Sequence, residues 1–230
     1  MPAPDMEAGG SRPDVWVNCA ISADGRLAYA GGRRARLSGP EDLRRVQELR
    51  ATSDGVLVGA GTILLDDPSL RVHWEMLDRP PGSPPFRIAL DSNGRVPITA
   101  RIFDGSLPTI LVTTPANTHV YPGPVEVLRT PGPRVDLVEA LGLLQRRGLR
   151  RVLVEGGAEV LSSVLRSGQW DRLTVYVAPV VIGGRTAPMM VAGPEAVGPE
   201  DVVPMVRTSA APLGEGTLMS YVPGPPDQRS

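Results

Sequence analysis

The chain has 230 residues, 41% of them hydrophobic and 21% charged, with a formal net charge of −1. At about 150 residues per domain this is one large domain or two small ones, and the composition excludes wholesale disorder. Near-neutral charge gives no footprint for nucleic acid or an anionic membrane, and no apolar run nears the roughly 18 residues of a membrane span.

Val15–Ser22 predicts a short strand ending in the turn Ala23-Asp24-Gly25-Arg26. Ser38 and Glu41 have capping-box spacing, with Ser38 as N-cap of a helix in which Leu43, Val46 and Leu49 recur at helical spacing. Gly55–Thr62 reads as one buried strand closing on glycines, followed by Leu64-Leu65-Asp66-Asp67-Pro68. Arg87–Asp91, Thr109–Thr114 and Val125–Leu128 are further strand candidates. Asp136 and Glu139 form a second box, opening a helix lined by Leu137, Leu141 and Leu144 and stopped by Gly148 at C′. Arg151–Glu155 is a strand that breaks on Gly156-Gly157 and enters a helix at Ala158–Arg166. Leu173–Ile182 reads as a long strand before Gly183-Gly184, and Val202–Thr208 with Thr217–Val222 as a final antiparallel pair.

This alternation, at nearly continuous Val/Ile/Leu content in the strands, predicts an α/β sheet covered on both faces. No repeat and no linker divides the chain. A single domain over residues 13–222 is expected, with Pro80–Pro85 as a surface loop and residues 1–12 and 223–230 as disordered tails.

Residue types narrow the chemistry. All 24 basic residues are arginine, so a lysine Schiff base and a P-loop lysine are both impossible. Cys19, His73 and His119 are too few for a Cys/His zinc site, and no metal is expected. A lone cysteine cannot form an internal disulfide, and the N-terminus lacks the apolar core of a secretory signal, so the expected compartment is cytoplasmic.

Three segments could carry chemistry. Val154-Glu155-Gly156-Gly157-Ala158 is a strand–glycine–helix turn whose N–H groups could receive an anion, or simply a tight turn without a ligand. Val58-Gly-Ala-Gly-Thr62 followed by Asp66-Asp67-Pro68 offers close backbone approach, a hydroxyl and two carboxylates, or a turn before proline. Asn18–Arg26 ends the first strand in an ordinary Asp-Gly turn. Singly, none of these names a reaction.

In order and spacing, however, N-x-A-x-S-x-D-G-R, S-G-P-E-D-L…L-R-A, V-G-x-G-T-x-x-x-D-D-P-x-L, A-L-D-S, V-E-G-G and V-A-P-x-x-x-G-G together resemble the riboflavin-biosynthesis pyrimidine reductase family. This is the C-terminal domain of the bifunctional deaminase–reductase and its stand-alone archaeal and fungal relatives. The resemblance runs from about Pro13 to Val222. It implies a dihydrofolate-reductase-like, three-layer α/β/α fold with a mixed, mostly parallel sheet and a C-terminal antiparallel pair. It also implies NADPH as cofactor, a homodimer, and reduction of a pyrimidine ribosylamine 5′-phosphate to the ribitylamine. A pteridine or specialised-metabolite reductase on the same scaffold is the alternative, and a non-catalytic nucleotide-binding module a further one.

Carried over by residue, the resemblance places cofactor contacts at Ala20, Thr62, Asp66, Ser92, Glu155, Gly156, Gly157 and Ala158. It places substrate contacts at Asn18, Arg50, Leu70 and His73, with Arg50 as the ligand of the 5′-phosphate. Asp24 is the candidate catalytic carboxylate. Two departures stand out: Arg34 and Arg36 occupy positions where the family carries Ser and Trp, and the zinc-binding deaminase motifs are absent. Bifunctional members usually carry Lys where this chain has Asn18. An amide that accepts from an exocyclic amine would favour the diaminopyrimidinone over the aminouracil.

Overall fold

The computed structural model describes residues 11–225. Nine strands and four α-helices follow in the order β1 (Asp14–Ser22), α1 (Pro40–Ala51), β2 (Gly55–Gly59), α2 (Ala60–Asp66), β3 (Phe86–Leu90), β4 (Thr109–Thr113) and β5 (Val125–Arg129). Then come α3 (Leu137–Arg146), β6 (Arg151–Gly156), α4 (Ala158–Arg166), β7 (Arg172–Ala178), β8 (Met205–Leu213) and β9 (Gly216–Pro223). All nine strands form one sheet in the order β5-β4-β3-β2-β6-β1-β7-β9-β8. Seven are parallel; β9 and β8 add an antiparallel edge.

Alternate side chains of the central strands enter two separate cores, as a sheet covered on both faces requires. Val15, Val17, Val152, Val154 and Val175 pack against Leu141 and Leu144 of α3 and Leu161, Val164 and Leu165 of α4. On the opposite face Val56, Val58, Ala89, Leu111 and Leu153 pack with Ile63 of α2, Leu70 and Phe103. The three-layer α/β/α expectation holds. No helix among the described residues is long and apolar enough to cross a membrane.

The connections place a ligand site. From β2 the chain passes through α2 towards β3; from adjacent β6 it passes through α4, on the other face, towards β7. The β2–β6 boundary is therefore a topological switch point, and open α/β sheets bind ligands beyond the carboxyl ends of strands there.

Several elements differ from the sequence reading. Pro40 opens α1, which shifts the N-cap to Gly39; Ser38 is not the cap, and its hydroxyl donates to the Asp42 carboxylate. The apolar positions of α1 divide: Leu49 packs against the core and Val46 is half-buried, but Leu43 is 40% exposed, whereas Asp42 and Gln47 are buried. The Gly55–Thr62 strand stops at Gly59, because Ala60 already belongs to α2. The long strand from Leu173 stops at Ala178, before Pro179, and the Ile182 and Gly183 amides donate to Asp24 instead of to a ladder. Of the expected tails, residues 1–10 and 226–230 lie outside the described residues; Arg12 is anchored, its guanidinium donating to Asp171, and Pro223 ends β9. The α3 reading holds at both ends. Asp136 Oδ1 accepts from the Glu139 amide at 2.9 Å, and Gly148 adopts φ +92° with the Leu149 N–H donating to Leu144 O.

Candidate active site

Two helix N-termini meet at the switch point. Gly59 caps α2, and a Cβ there would come within 2.6 Å of Val160 Cγ2 on α4. Gly157 caps α4 at φ +44°, and a Cβ there would sit 3.1 Å from Thr62 Oγ1. Only glycine at Gly59 lets the two helices start side by side. Gly156 has φ +125°, and a Cβ on it would meet nothing within 4 Å. The turn is thus open towards a ligand, with the positive end of α4 beside it.

The β2–β6 ladder shifts register here: Leu57 pairs with Val154 and Val58 with Gly156, leaving Glu155 as the extra residue of a bulge. A bulge re-aims its side chain. Glu155 meets α1, where Arg50 Nε and Nη2 donate to its two oxygens at 2.7 and 2.6 Å. Arg50 Nη1 donates to Arg71 O at 2.9 Å, and Gln47 Oε1 accepts from the His73 amide at 2.9 Å. These bonds fasten residues 71–73 alongside α1. Leu70, just before them, is buried at φ +50°, an uncommon conformation for a side-chain-bearing residue.

A polar layer lies between α1 and the sheet. Asp42, 1% exposed, accepts from Arg45 Nε and Nη2 at 2.9 and 2.6 Å. Arg45 Nη2 also donates to Asn18 Oδ1 at 2.7 Å, and the Thr174 hydroxyl donates to the same oxygen at 2.9 Å. Helix α1 therefore turns hydrogen-bonding groups inward beside Leu49, which packs against the core.

The expected site residues divide accordingly. Asn18, Arg50, Thr62, Leu70, Glu155, Gly156, Gly157 and Ala158 surround or adjoin the switch point. Ala20 packs beside Leu37, Tyr176 and Ala178 on the α1 side. Asp66 is exposed at the end of α2. Ser92 follows β3; its hydroxyl accepts from the Val135 amide at 2.9 Å. His73 is exposed, with Nδ1 3.0 Å from Glu75 Oε1. Arg34 and Arg36 are exposed in the loop between β1 and α1.

Two of these residues are already engaged by protein partners. Arg50 reaches the site, but the Nε/Nη2 edge that would grip a phosphate bidentately is bound to Glu155. Asp24 accepts from the Ser22 hydroxyl at 2.7 Å and from the Ile182 and Gly183 amides at 3.0 and 2.8 Å. The Ser22 hydroxyl first, then the Ile182 amide, hold its carboxyl down to about 2. These bonds tie the 182–184 loop to the turn that follows β1. Burial pushes the Cys19 thiol up to about 12, which makes it an inert core group. Arg45, Asp42, Gln47 and Thr174 were missed. For Asp42 and Arg45 the signal was their spacing of three, which puts both on one helical face; Gln47 and Thr174 carried none.

The family described as RibD C-terminal domain matches residues 13–218. A protein from Methanothermobacter thermautotrophicus called 2,5-diamino-6-ribosylamino-4(3H)-pyrimidinone 5′-phosphate reductase is 36% identical over 214 residues, covering 91% of this chain and 98% of that one. Among solved structures, Acinetobacter baumannii RibD superposes with a TM-score of 0.81 at 27% identity, over 94% of this chain and 59% of that one, so this chain spans little more than half of that RibD. A dihydrofolate reductase from Enterococcus faecalis shares the fold, with a TM-score of 0.50 at 15% identity over 92% of this chain and 97% of that one. With the match spanning nearly every described residue, the chain belongs to the RibD C-terminal domain family of riboflavin-biosynthesis reductases, on a dihydrofolate-reductase-like fold.

Proposed function

We propose that the protein is an NADPH-dependent reductase that converts 2,5-diamino-6-ribosylamino-4(3H)-pyrimidinone 5′-phosphate to its ribitylamine. The carrying observation is the switch point itself, where an open glycine turn adjoins a buried polar layer anchored on Arg50, Glu155 and Asn18. The substrate assignment is supported by the likeness to the archaeal reductase over nearly its whole length. Nothing in the site favours the pteridine alternative.

The residues fit a dinucleotide phosphate. Gly156 and Gly157 leave their amides unshielded by side chains, so these N–H groups and the start of α4 at Ala158 would hold the pyrophosphate. The Thr62 hydroxyl lies against that turn. Glu155, Ala20, Asp66 and Ser92 are assigned to the rest of the cofactor. When bound, NADPH would supply hydride from its nicotinamide C4 to C1 of the opened, protonated imine form of the sugar, giving the amine and NADP+.

The chain's own work is placement and exclusion of water. Leu70 contributes an apolar wall. Arg50 has two of its five N–H groups left after Glu155 and Arg71, one on each terminal nitrogen, to offer the 5′-phosphate, and His73 supplements it. NADPH should bind in the micromolar range, about −8 kcal/mol. Calorimetry on wild type and Gly156→Val checks this: a valine side chain at φ +125° in the open turn abolishes binding, and a wild type that binds no NADPH overturns the reading.

We also assign the protein to the cytoplasm and to a homodimer. Supporting the dimer, β8 is an edge strand whose residues are nearly all exposed, including Met205 and Val206.

A further inference from the structure

Asn18 is 6% exposed and lies on β1 between β6 and β7. Its Oδ1 accepts from Arg45 Nη2 at 2.7 Å and from the Thr174 hydroxyl at 2.9 Å. A guanidinium has donors only, so the carbonyl end of the amide must face Arg45 and the NH2 end must point away. Two donors fill the lone pairs of Oδ1. Nδ2 has no hydrogen-bond partner among the described residues. Arg45 cannot swing aside, because its Nε and Nη2 are both bound to Asp42, which in turn accepts from Ser38. A chain of bonds thus runs from Ser38 through Asp42, Arg45 and Asn18 to Thr174, across α1, β1 and β7.

We propose that Arg45 is a positioning residue that fixes Asn18 as a hydrogen-bond donor to the substrate ring, and that the group it meets is the 4-oxo oxygen of the pyrimidinone. The inference rests on the reductase reading above. The ring carries amines at positions 2, 5 and 6; its acceptors are N1, hemmed in between the 2-amine and the 6-ribosylamine, and the 4-oxo oxygen, which is the only exocyclic one. An amine placed against Asn18 Nδ2 would set donor against donor. The aminouracil keeps the same 4-oxo group, so Asn18 reads a feature common to both pyrimidines and selection between them arises elsewhere. This replaces the expectation that Asn18 selects the diaminopyrimidinone by accepting from an amine: its acceptor is already occupied.

The test measures kcat/KM for both pyrimidine phosphates, together with the NADPH Kd and Tm. Asn18→Asp keeps the shape and pairs with Arg45 charge to charge, but turns the pocket-facing donor into an acceptor. It should lower kcat/KM about ten- to a hundred-fold, by similar factors for the two pyrimidines, with the NADPH Kd unchanged. Because Arg45→Met alone strands the buried Asp42, the positioning role is read in Asp42→Asn/Arg45→Met. That variant should lose roughly tenfold in kcat/KM in the wild-type background and almost nothing further in an Asn18→Ala background. A merely structural role would subtract equally from both backgrounds, and that additivity overturns the proposal. So does an Asn18→Asp enzyme with wild-type kcat/KM, or one impaired on a single pyrimidine. A wild type without turnover on either pyrimidine brings down the reductase reading and this inference together.

Discussion

The Arg50–Glu155 pair joins α1 to the glycine turn, with side chains 15% and 10% exposed. Removing one member of a buried pair leaves the other charge desolvated, at a cost of about 3–5 kcal/mol. Arg50→Ala should therefore lower Tm and weaken NADPH as well as substrate, since Glu155 immediately precedes Gly156. Arg50→Ala/Glu155→Gln should recover most of the lost Tm without recovering affinity; thermal melts and fluorescence titration of NADPH check both. Asp24 sets a pH dependence. Its folded carboxyl lies near 2, below the usual carboxylate value of about 3.9, so its stabilisation is complete above about pH 4 and vanishes as pH falls towards 2. Acid titration should show Asp24→Asn less stable than wild type at pH 6, with the difference closing below pH 3. Asn18, Arg50 and the Glu155–Ala158 turn were legible as candidate positions from the family pattern. Their partners were not, because a bond such as Arg45–Asn18 spans 27 residues and leaves no local spacing to read.

At the scale of elements, local chemistry predicts well where it decides alone. The α3 caps were readable because both signals act within a few residues; Asp136→Ala should cost about 1 kcal/mol in a denaturant melt, the ordinary value of a lost N-cap. Ser38→Ala should instead act through the Asp42–Arg45 network and impair substrate turnover, since Ser38 caps nothing. Helix α1 defeated periodicity for a physical reason. Its inward face covers a polar site rather than a core, so the burial that normally follows Leu and Val follows Asp42 and Gln47. The β2–α2 junction failed similarly: strand and helix both begin apolar, and only the approach of Val160 at Gly59, a contact from another part of the chain, marks the boundary.

For the molecule as a whole, the class of sheet followed from alternating strands and helices, but the strand order did not; it depends on which crossovers turn left or right. The exposed β8 edge belongs to this scale. Val206 is 47% exposed on it, and if the proposed dimer forms through this edge, Val206→Asp should convert it to monomer in sedimentation velocity, with the NADPH affinity of each protomer retained.

The central position of β1 also shapes how the chain must be made. Asp14 of β1 lies beside Arg151 of β6, 137 residues later, and β7 follows on its other side. At roughly 5–20 residues per second on the ribosome, the first strand waits about 7–27 seconds before either neighbour exists. Throughout that interval β1, with Val15, Val17 and Cys19, lacks both of the strands it pairs with. Closure of the centre is consequently a late, long-range event, which makes folding slow and leaves nascent chains ending before Arg151 as substrates for chaperones and proteases.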